Sequence, residues 1–372
     1  MNSNETSRRI STTLRLGMML LLVMAFLVGG ARHLSATSQA DPSVFTTYAV
    51  KGSPRNLIAS AQGELWFTMP AADSIGKLTV TDGAVSAAAT SVDYFDLAAG
   101  KTPYDLVLFN GFLYFTALGS NEIGRLDPTN GNVVYYAIPT AASEPTGITA
   151  GGGYVWFVER KGDNLGRLDP TNGTITEFTD KNPNDGNNVD MTGAQLESVA
   201  FSPVGPWFTG PTFKSSAALY RIIEDRFVPA PAGSSTAPIN IVVDNTGEIW
   251  ITGSGNDAIG RFALNTTNLW GFYDVPPGNG PDGLFVTELG GFRQTWYTRE
   301  GDGRVGRYQY KFNGTEVSNV EARLPAAGSE PWGIAVDSDG DTWIAVGGAN
   351  QIVRWRTPFN DYLLNLPQIQ RQ

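Results

Sequence analysis

At seven points, 42 to 51 residues apart, the sequence returns to an aromatic residue, then a second aromatic or isoleucine, then a small or polar residue. The copies are Trp66-Phe67-Thr68, Tyr114-Phe115-Thr116, Trp156-Phe157-Val158, Trp207-Phe208-Thr209, Trp250-Ile251-Thr252, Trp296-Tyr297-Thr298 and Trp343-Ile344-Ala345. A period of about 40–50 residues is the length of a four-stranded propeller blade. Each copy opens on a Pro-x-Gly-Ile-like tetrad. These are Pro54-Arg55-Asn56-Leu57, Pro103-Tyr104-Asp105-Leu106, Pro145-Thr146-Gly147-Ile148, Pro238-Ile239-Asn240-Ile241, Pro281-Asp282-Gly283-Leu284 and Pro331-Trp332-Gly333-Ile334, with a degenerate Leu196-Glu197-Ser198-Val199 in the fourth copy. After the aromatics comes Ile-Gly-Arg or a close variant, as in Ile75-Gly76-Lys77, Ile123-Gly124-Arg125, Leu165-Gly166-Arg167, Ile259-Gly260-Arg261 and Val305-Gly306-Arg307.

The pattern predicts an all-β, seven-bladed propeller of four-stranded blades over residues 41–358. Strand a starts at the proline, nearest the axis. Strand b carries the aromatics that fill the space between blades. Strand c holds the glycine, which lets an aromatic lie against bare backbone. The octet GRLDPTNG occurs at Gly124–Gly131 and again at Gly166–Gly173. Its proline presets φ and its Asn-Gly accepts positive φ, so it reads as the turn from strand c to a polar outer strand d. The seventh copy lacks a strand d. A spare strand, Val44–Val50, precedes the first tetrad, and pairing it with the last blade would close the ring and remove two open edges.

The N-terminus follows another rule. Arg8, Arg9 and Arg15 precede an apolar run, Leu16–Val28, and then small residues ending Ser38-Gln39-Ala40. This order reads as a signal peptide over 1–40, the alternative being an uncleaved N-terminal anchor. The expected location is extracytoplasmic: secreted, periplasmic or cell-surface. The remaining residues carry 22 Lys/Arg against 35 Asp/Glu, a net charge of −13. Nucleic acid is a poor partner for such a surface. No membrane span is expected in the mature domain, which reads as a monomer, and no role is assigned to the 359–372 tail. There is no cysteine, so the core owes nothing to disulfides. The single histidine, His33, falls in the presumed signal region. The mature domain therefore lacks Ser-His-Asp chemistry and histidine acid/base catalysis.

The repeat resembles the streptogramin B lyase (virginiamycin B lyase) family of seven-bladed propellers, from about Val44 to Pro358. The third copy carries the family pattern best, in Pro145-Thr146-Gly147-Ile148, Trp156-Phe157-Val158-Glu159, Leu165-Gly166-Arg167-Leu168 and Thr176-Glu177-Phe178. The resemblance implies a magnesium-dependent elimination that opens a cyclic depsipeptide, with histidine as base at the central funnel. The family's histidine positions fall here on Asp282 and Trp332. One family glutamate is retained as Glu330; a second falls on Val346. The sequence is thus a divergent relative without the catalytic histidine.

The x of each tetrad opens the inner strand and should face the funnel. Arg55, Tyr104, Glu197, Asp282 and Trp332 are the expected ligand-binding residues, with Glu144, Glu159, Glu300 and Glu330 nearby. Carboxylates converging beside aromatic platforms suit a cation, a sugar or a peptide segment. Three readings stay open. The first is a scaffold binding a small molecule, sugar or peptide in its funnel. The second is a divergent metal-dependent lyase, with Glu330 catalytic, Glu330 and Asp282 on Mg²⁺ or Ca²⁺, Glu197 beside them and Tyr104 as acid or base. The third is a structural envelope protein. Asp337–Asp341 reads as a hairpin turn rather than half of a calcium loop. Asp180–Thr192 reads as an exposed inserted loop, where a bound Ca²⁺ stays open.

Overall fold

In a computed structural model, the residues described are 32–33, 37–39, 45–60, 64–80, 90–178, 192–210, 218–223, 226–230, 237–253, 257–262, 270–275, 280–289, 292–311 and 316–356. Most of the expected signal segment, nearly all of the 180–192 loop and the 359–372 tail lie outside them. The chain is an all-β propeller of four-stranded antiparallel blades. Among the described residues the strands form seven sheets. Their innermost strands, in chain order, are Leu57–Ala59, Pro103–Phe109, Pro145–Gly151, Val199–Ser202, Pro238–Val243, Leu284–Leu289 and Pro331–Val336. The third sheet shows the plan: Pro145–Gly151, Tyr154–Glu159, Asn164–Leu168 and Ile175–Phe178, each paired with the next.

The last sheet takes its fourth strand from the N-terminal side. Phe45–Ala49 pairs antiparallel with Gln351–Trp355, from Phe45 opposite Trp355 to Ala49 opposite Gln351. Pro331–Val336 packs beside Leu57–Ala59, and one apolar cluster holds Tyr48, Trp343 and Ile352 together with Leu57, Leu65 and Phe67. Two short segments, Arg32–His33 and Thr37–Gln39, lie parallel to the outer strands Trp270–Asp274 and Glu316–Arg323. No helix among the described residues is long and apolar enough to cross a membrane.

Each letter of the repeat has one mechanical task. The strand-c glycine lies opposite the second aromatic of strand b. A Cβ on Gly76, Gly124, Gly166 or Gly306 would come within 2.1 Å of the ring of Phe67, Phe115, Phe157 or Tyr297. The basic residue after that glycine stacks on the strand-b tryptophan, as with Arg307 over Trp296 at 5.2 Å and Arg167 over Trp156 at 5.5 Å. Cation–π contact and a covered alkyl stem explain why this position is basic although it sits in the sheet. The duplicated octet is the expected c–d turn. Asp127 accepts from Thr129 N at 2.9 Å and Thr129 Oγ1 at 2.6 Å, and Asp169 repeats this with Thr171 at the same distances. Asp337 is a turn residue as well. Its Oδ1 accepts from Asp339 N and Asp341 N, and its Oδ2 from Trp343 Nε1 at 2.7 Å.

The threonine after the aromatics joins blade to blade. Thr68, Thr116, Thr209, Thr252 and Thr298 each donate to the carbonyl of the x residue in the next tetrad: Tyr104, Thr146, Ile239, Asp282 and Trp332, at 2.7–2.9 Å. In the third and seventh repeats Val158 and Ala345 stand in place of threonine. There the tetrad glycine donates instead, Gly147 N to Glu197 O at 3.0 Å and Gly333 N to Arg55 O at 2.8 Å. All seven x carbonyls are thereby held by a neighbouring blade. Thr298→Val should remove one such bond and the acceptor of Gly283 N, which lies 2.8 Å from Thr298 Oγ1. Buried groups left unpaired cost about 1–3 kcal/mol. The expected result is a lower urea midpoint with an unchanged slope.

Candidate functional site

The inner strands begin with an irregularity that aims the x residue. Pairing with strand b slips between Pro103 and Leu106, Pro145 and Ile148, Pro238 and Ile241, and Pro331 and Ile334. A slip of this kind re-aims a side chain without ending the strand. The residue before the tetrad has positive φ in five blades: Thr102 (46°), Glu144 (53°), Gln195 (50°), Ala237 (36°) and Glu330 (42°). The strained backbone of Glu330 is therefore a property of the repeat and not a mark of catalysis.

Arg55, Tyr104, Glu197, Asp282, Glu330 and Trp332 all line one axial cavity of about 780 Å³. Arg55 lies between two rings, its guanidinium 4.0 Å from the centre of Tyr104 and 4.8 Å from that of Trp332. It also donates to the Tyr104 hydroxyl. That hydroxyl donates onward to Glu197 Oε1 at 2.7 Å. Arg160 Nε stands 3.6 Å from Glu197 Oε2, and its Cζ 5.4 Å from the Tyr104 ring centre. Burial, reinforced by the charge of Glu197, pushes the Tyr104 phenol well above its ordinary value. Tyr104 is thus a bound donor, which argues against the acid/base role considered for it.

Asp282 is the titratable centre of the opening. Burial raises its carboxyl to about 6; the Arg55 charge opposes this, and Glu300 and Glu197 add to it. Asn240 Nδ2 reaches Asp282 Oδ1 at 3.3 Å. Asp105, which lines the same cavity, is likewise raised to about 6 by burial, while accepting from Ile148 N at 3.0 Å and Leu106 N at 2.8 Å.

Several carboxylates stand elsewhere than expected. Glu300 lines the cavity, but Glu144 and Glu159 do not. Glu144 pairs with Lys161 at 2.5 Å, and Glu159 is fully buried inside the third blade. Thr146 is also buried, donating to Leu196 O at 3.0 Å. Val346, at the second family glutamate position, is fully buried in an apolar cluster. Arg160, Asp302 and Arg323 line the cavity without having been singled out in the sequence. Arg160 follows Glu159, and side chains alternate along a strand, so the residue after the buried glutamate is the one aimed at the opening.

The magnesium implied by the resemblance does not find its donors here. No group of three or more His, Asp or Glu that could hold a metal occurs among the described residues. Asp282 faces a guanidinium, and Glu330 is exposed at the rim.

The fold and funnel define a β-propeller with an axial site built from tetrad residues. Residues 35–199 match the Virginiamycin B lyase family, to which the chain is similar over that part. A streptogramin B lyase structure is similar over 84% of this chain and 97% of that one, at 24% identity and a TM-score of 0.70. Virginiamycin B lyase from Staphylococcus aureus aligns over 84% and 99%, at 22% identity and a TM-score of 0.68. A catalytically inactive variant of that enzyme, with quinupristin, aligns equally well at 23% identity. No curated protein sequence matches the chain.

Proposed function

We propose that this protein is a ligand-binding propeller whose axial funnel takes a polar or cationic ligand, a peptide or sugar segment. The convergence of all five expected ligand residues on one cavity carries the reading. Trp332 offers a ring edge beside carboxylates that accept hydrogen bonds, a combination suited to ligands with an apolar face and several donors. On this reading the seven sheets are the blades of one closed, seven-bladed ring, supported by the pairing of Phe45–Ala49 with Gln351–Trp355. The protein acts as an extracytoplasmic monomer after loss of residues 1–40, a reading supported by the charge and hydropathy order of that segment.

A type B streptogramin is the first probe. Titration calorimetry should show saturable binding, and chromatography with mass detection should return the compound unchanged. Trp332→Ala should weaken binding tenfold or more. A retention shift at unchanged mass would report ring opening by elimination and replace this reading with the second, a lyase. Asp282 favours that alternative, because its carboxyl at about 6 suits a general base near neutral pH. No binding of the probe, and no loss of any function on Trp332→Ala, would favour a structural role.

A further inference from the structure

The third and sixth blades place charged residues at the same two positions of the repeat. Glu159 and Arg299 each stand three residues after their tryptophan and end strand b, opposite Asn164 and Arg304. Glu177 and Glu321 each lie on strand d, opposite the strand-c glycine. In the sixth blade these positions make a buried ion pair, Arg299 Nη1 to Glu321 Oε1 at 3.1 Å. The Tyr297 hydroxyl donates to the same carboxylate at 2.9 Å. In the third blade the two positions hold two carboxylates, and Phe157 replaces Tyr297, so the hydroxyl is gone as well.

Glu159 is fully buried. Its Oε2 accepts from Asn164 Nδ2 at 3.1 Å, whereas its Oε1 has no hydrogen-bond partner among the described residues. Glu177 accepts from Thr140 N at 2.8 Å and Thr140 Oγ1 at 3.0 Å. Asn164 Nδ2 also reaches Thr140 Oγ1, at 3.1 Å. The carboxylates of Glu159 and Glu177 and the Thr140 hydroxyl thus stand in one polar cluster outside the funnel, tied together by Asn164 Nδ2. Burial, and next the charge of Glu177, raises the Glu159 carboxyl to about 8. A fully buried carboxylate beside a half-buried one loses its charge unless a positive charge lies between them.

We infer that a calcium-type cation binds between Glu159 and Glu177, in the place that the Arg299 guanidinium occupies in the sixth blade. Carboxylate, hydroxyl and amide oxygens are the donors such an ion takes, and a flexible coordination sphere tolerates a site that was not built as a loop. The funnel and its ligand play no part in this site.

The test uses the full chain freed of metal with a chelator. Calcium chloride should bind at one site by calorimetry. It should also raise the melting temperature by roughly 3 °C or more at saturating concentration, since a ligand of the native state alone stabilises it. Glu177→Gln should abolish both signals. Glu159→Arg should also abolish them while melting no lower than the calcium-free parent, because arginine supplies the missing charge. Should Glu159→Arg fail to fold, the calorimetry of Glu177→Gln decides. A parent that ignores calcium but gains stability as the pH falls from 9 to 7, a gain that Glu159→Gln removes, would show a shared proton instead and overturn the inference. So would a calcium response that survives Glu177→Gln.

Discussion

Replacing Gly333 by alanine will loosen the join between the last inner strand and the first. Gly333 N donates to Arg55 O at 2.8 Å, the seventh bond of the inter-blade series. A Cβ there would lie 2.8 Å from both Arg55 O and Asn56 Cα. These are backbone atoms and cannot swing aside as a side-chain tip could. Forcing extra volume into a packed site costs about 1–3 kcal/mol, and a contact against backbone belongs at the upper end. Melting should fall by roughly 4 °C or more. Gly271→Ala is the control: its Cβ would meet nothing closer than 3.8 Å, so melting should move by no more than about 1 °C. Equal melting temperatures for the two variants would mean that the seam yields without cost. Because Arg55 and Trp332 stack across this seam at 4.8 Å, Gly333→Ala should also weaken probe binding in the funnel.

Much of this organisation could be read from the letters alone, because each acts on a partner inside its own blade. Gly166 lies opposite Phe157 and Arg167 opposite Trp156, so a recurring spacing was enough to assign their tasks. The tetrad x residues were legible for the same reason: a proline start and an inner strand fix where the next side chain goes. The threonine bonds were not, since Thr298 reaches a carbonyl 34 residues away in another blade. Their trace in the sequence is a compensation. Where threonine is missing, at Val158 and Ala345, the tetrad of the same blade supplies Gly147 or Gly333 as donor. Glu159 was misplaced at the funnel because a period locates the end of a strand but not which way its last side chain turns. Asn164 and Thr140, brought close by the turn after strand b and by the link between blades, hold that carboxylate end inside. Of the aromatic platforms, Tyr104 and Trp332 share one guanidinium, Arg55, which occupies the space between them. A ligand must therefore stack on what Arg55 leaves open or displace it.

Between pH 4 and pH 7 the parent protein should lose stability that an Asp282→Asn variant keeps. The Asp282 carboxyl stands at about 6 in the folded chain against an ordinary 3.8. A carboxyl raised by folding holds its proton more tightly in the native state than in the unfolded one. Its contribution is complete below pH 4 and is lost as the pH rises through about 6. Asparagine keeps the shape and carries no charge at any pH. The variant's advantage should be absent at pH 4 and reach about 1–3 kcal/mol by pH 7, after allowance for partial solvent access. Asp105, raised to about 6 as well, titrates in both proteins and cancels from the difference. Urea midpoints measured across this range give the comparison, and parallel curves would remove Asp282 as the titrating group. The groups facing it set the expected size. Arg55 favours its ionised form, Glu300 and Glu197 oppose that form, and Asn240 donates one hydrogen bond to it. Protonated below about pH 6, Asp282 offers a cationic ligand no charge; ionised above it, the carboxylate attracts one. Affinity for a cationic probe should therefore rise over the interval in which stability falls, since both follow from the same ionisation.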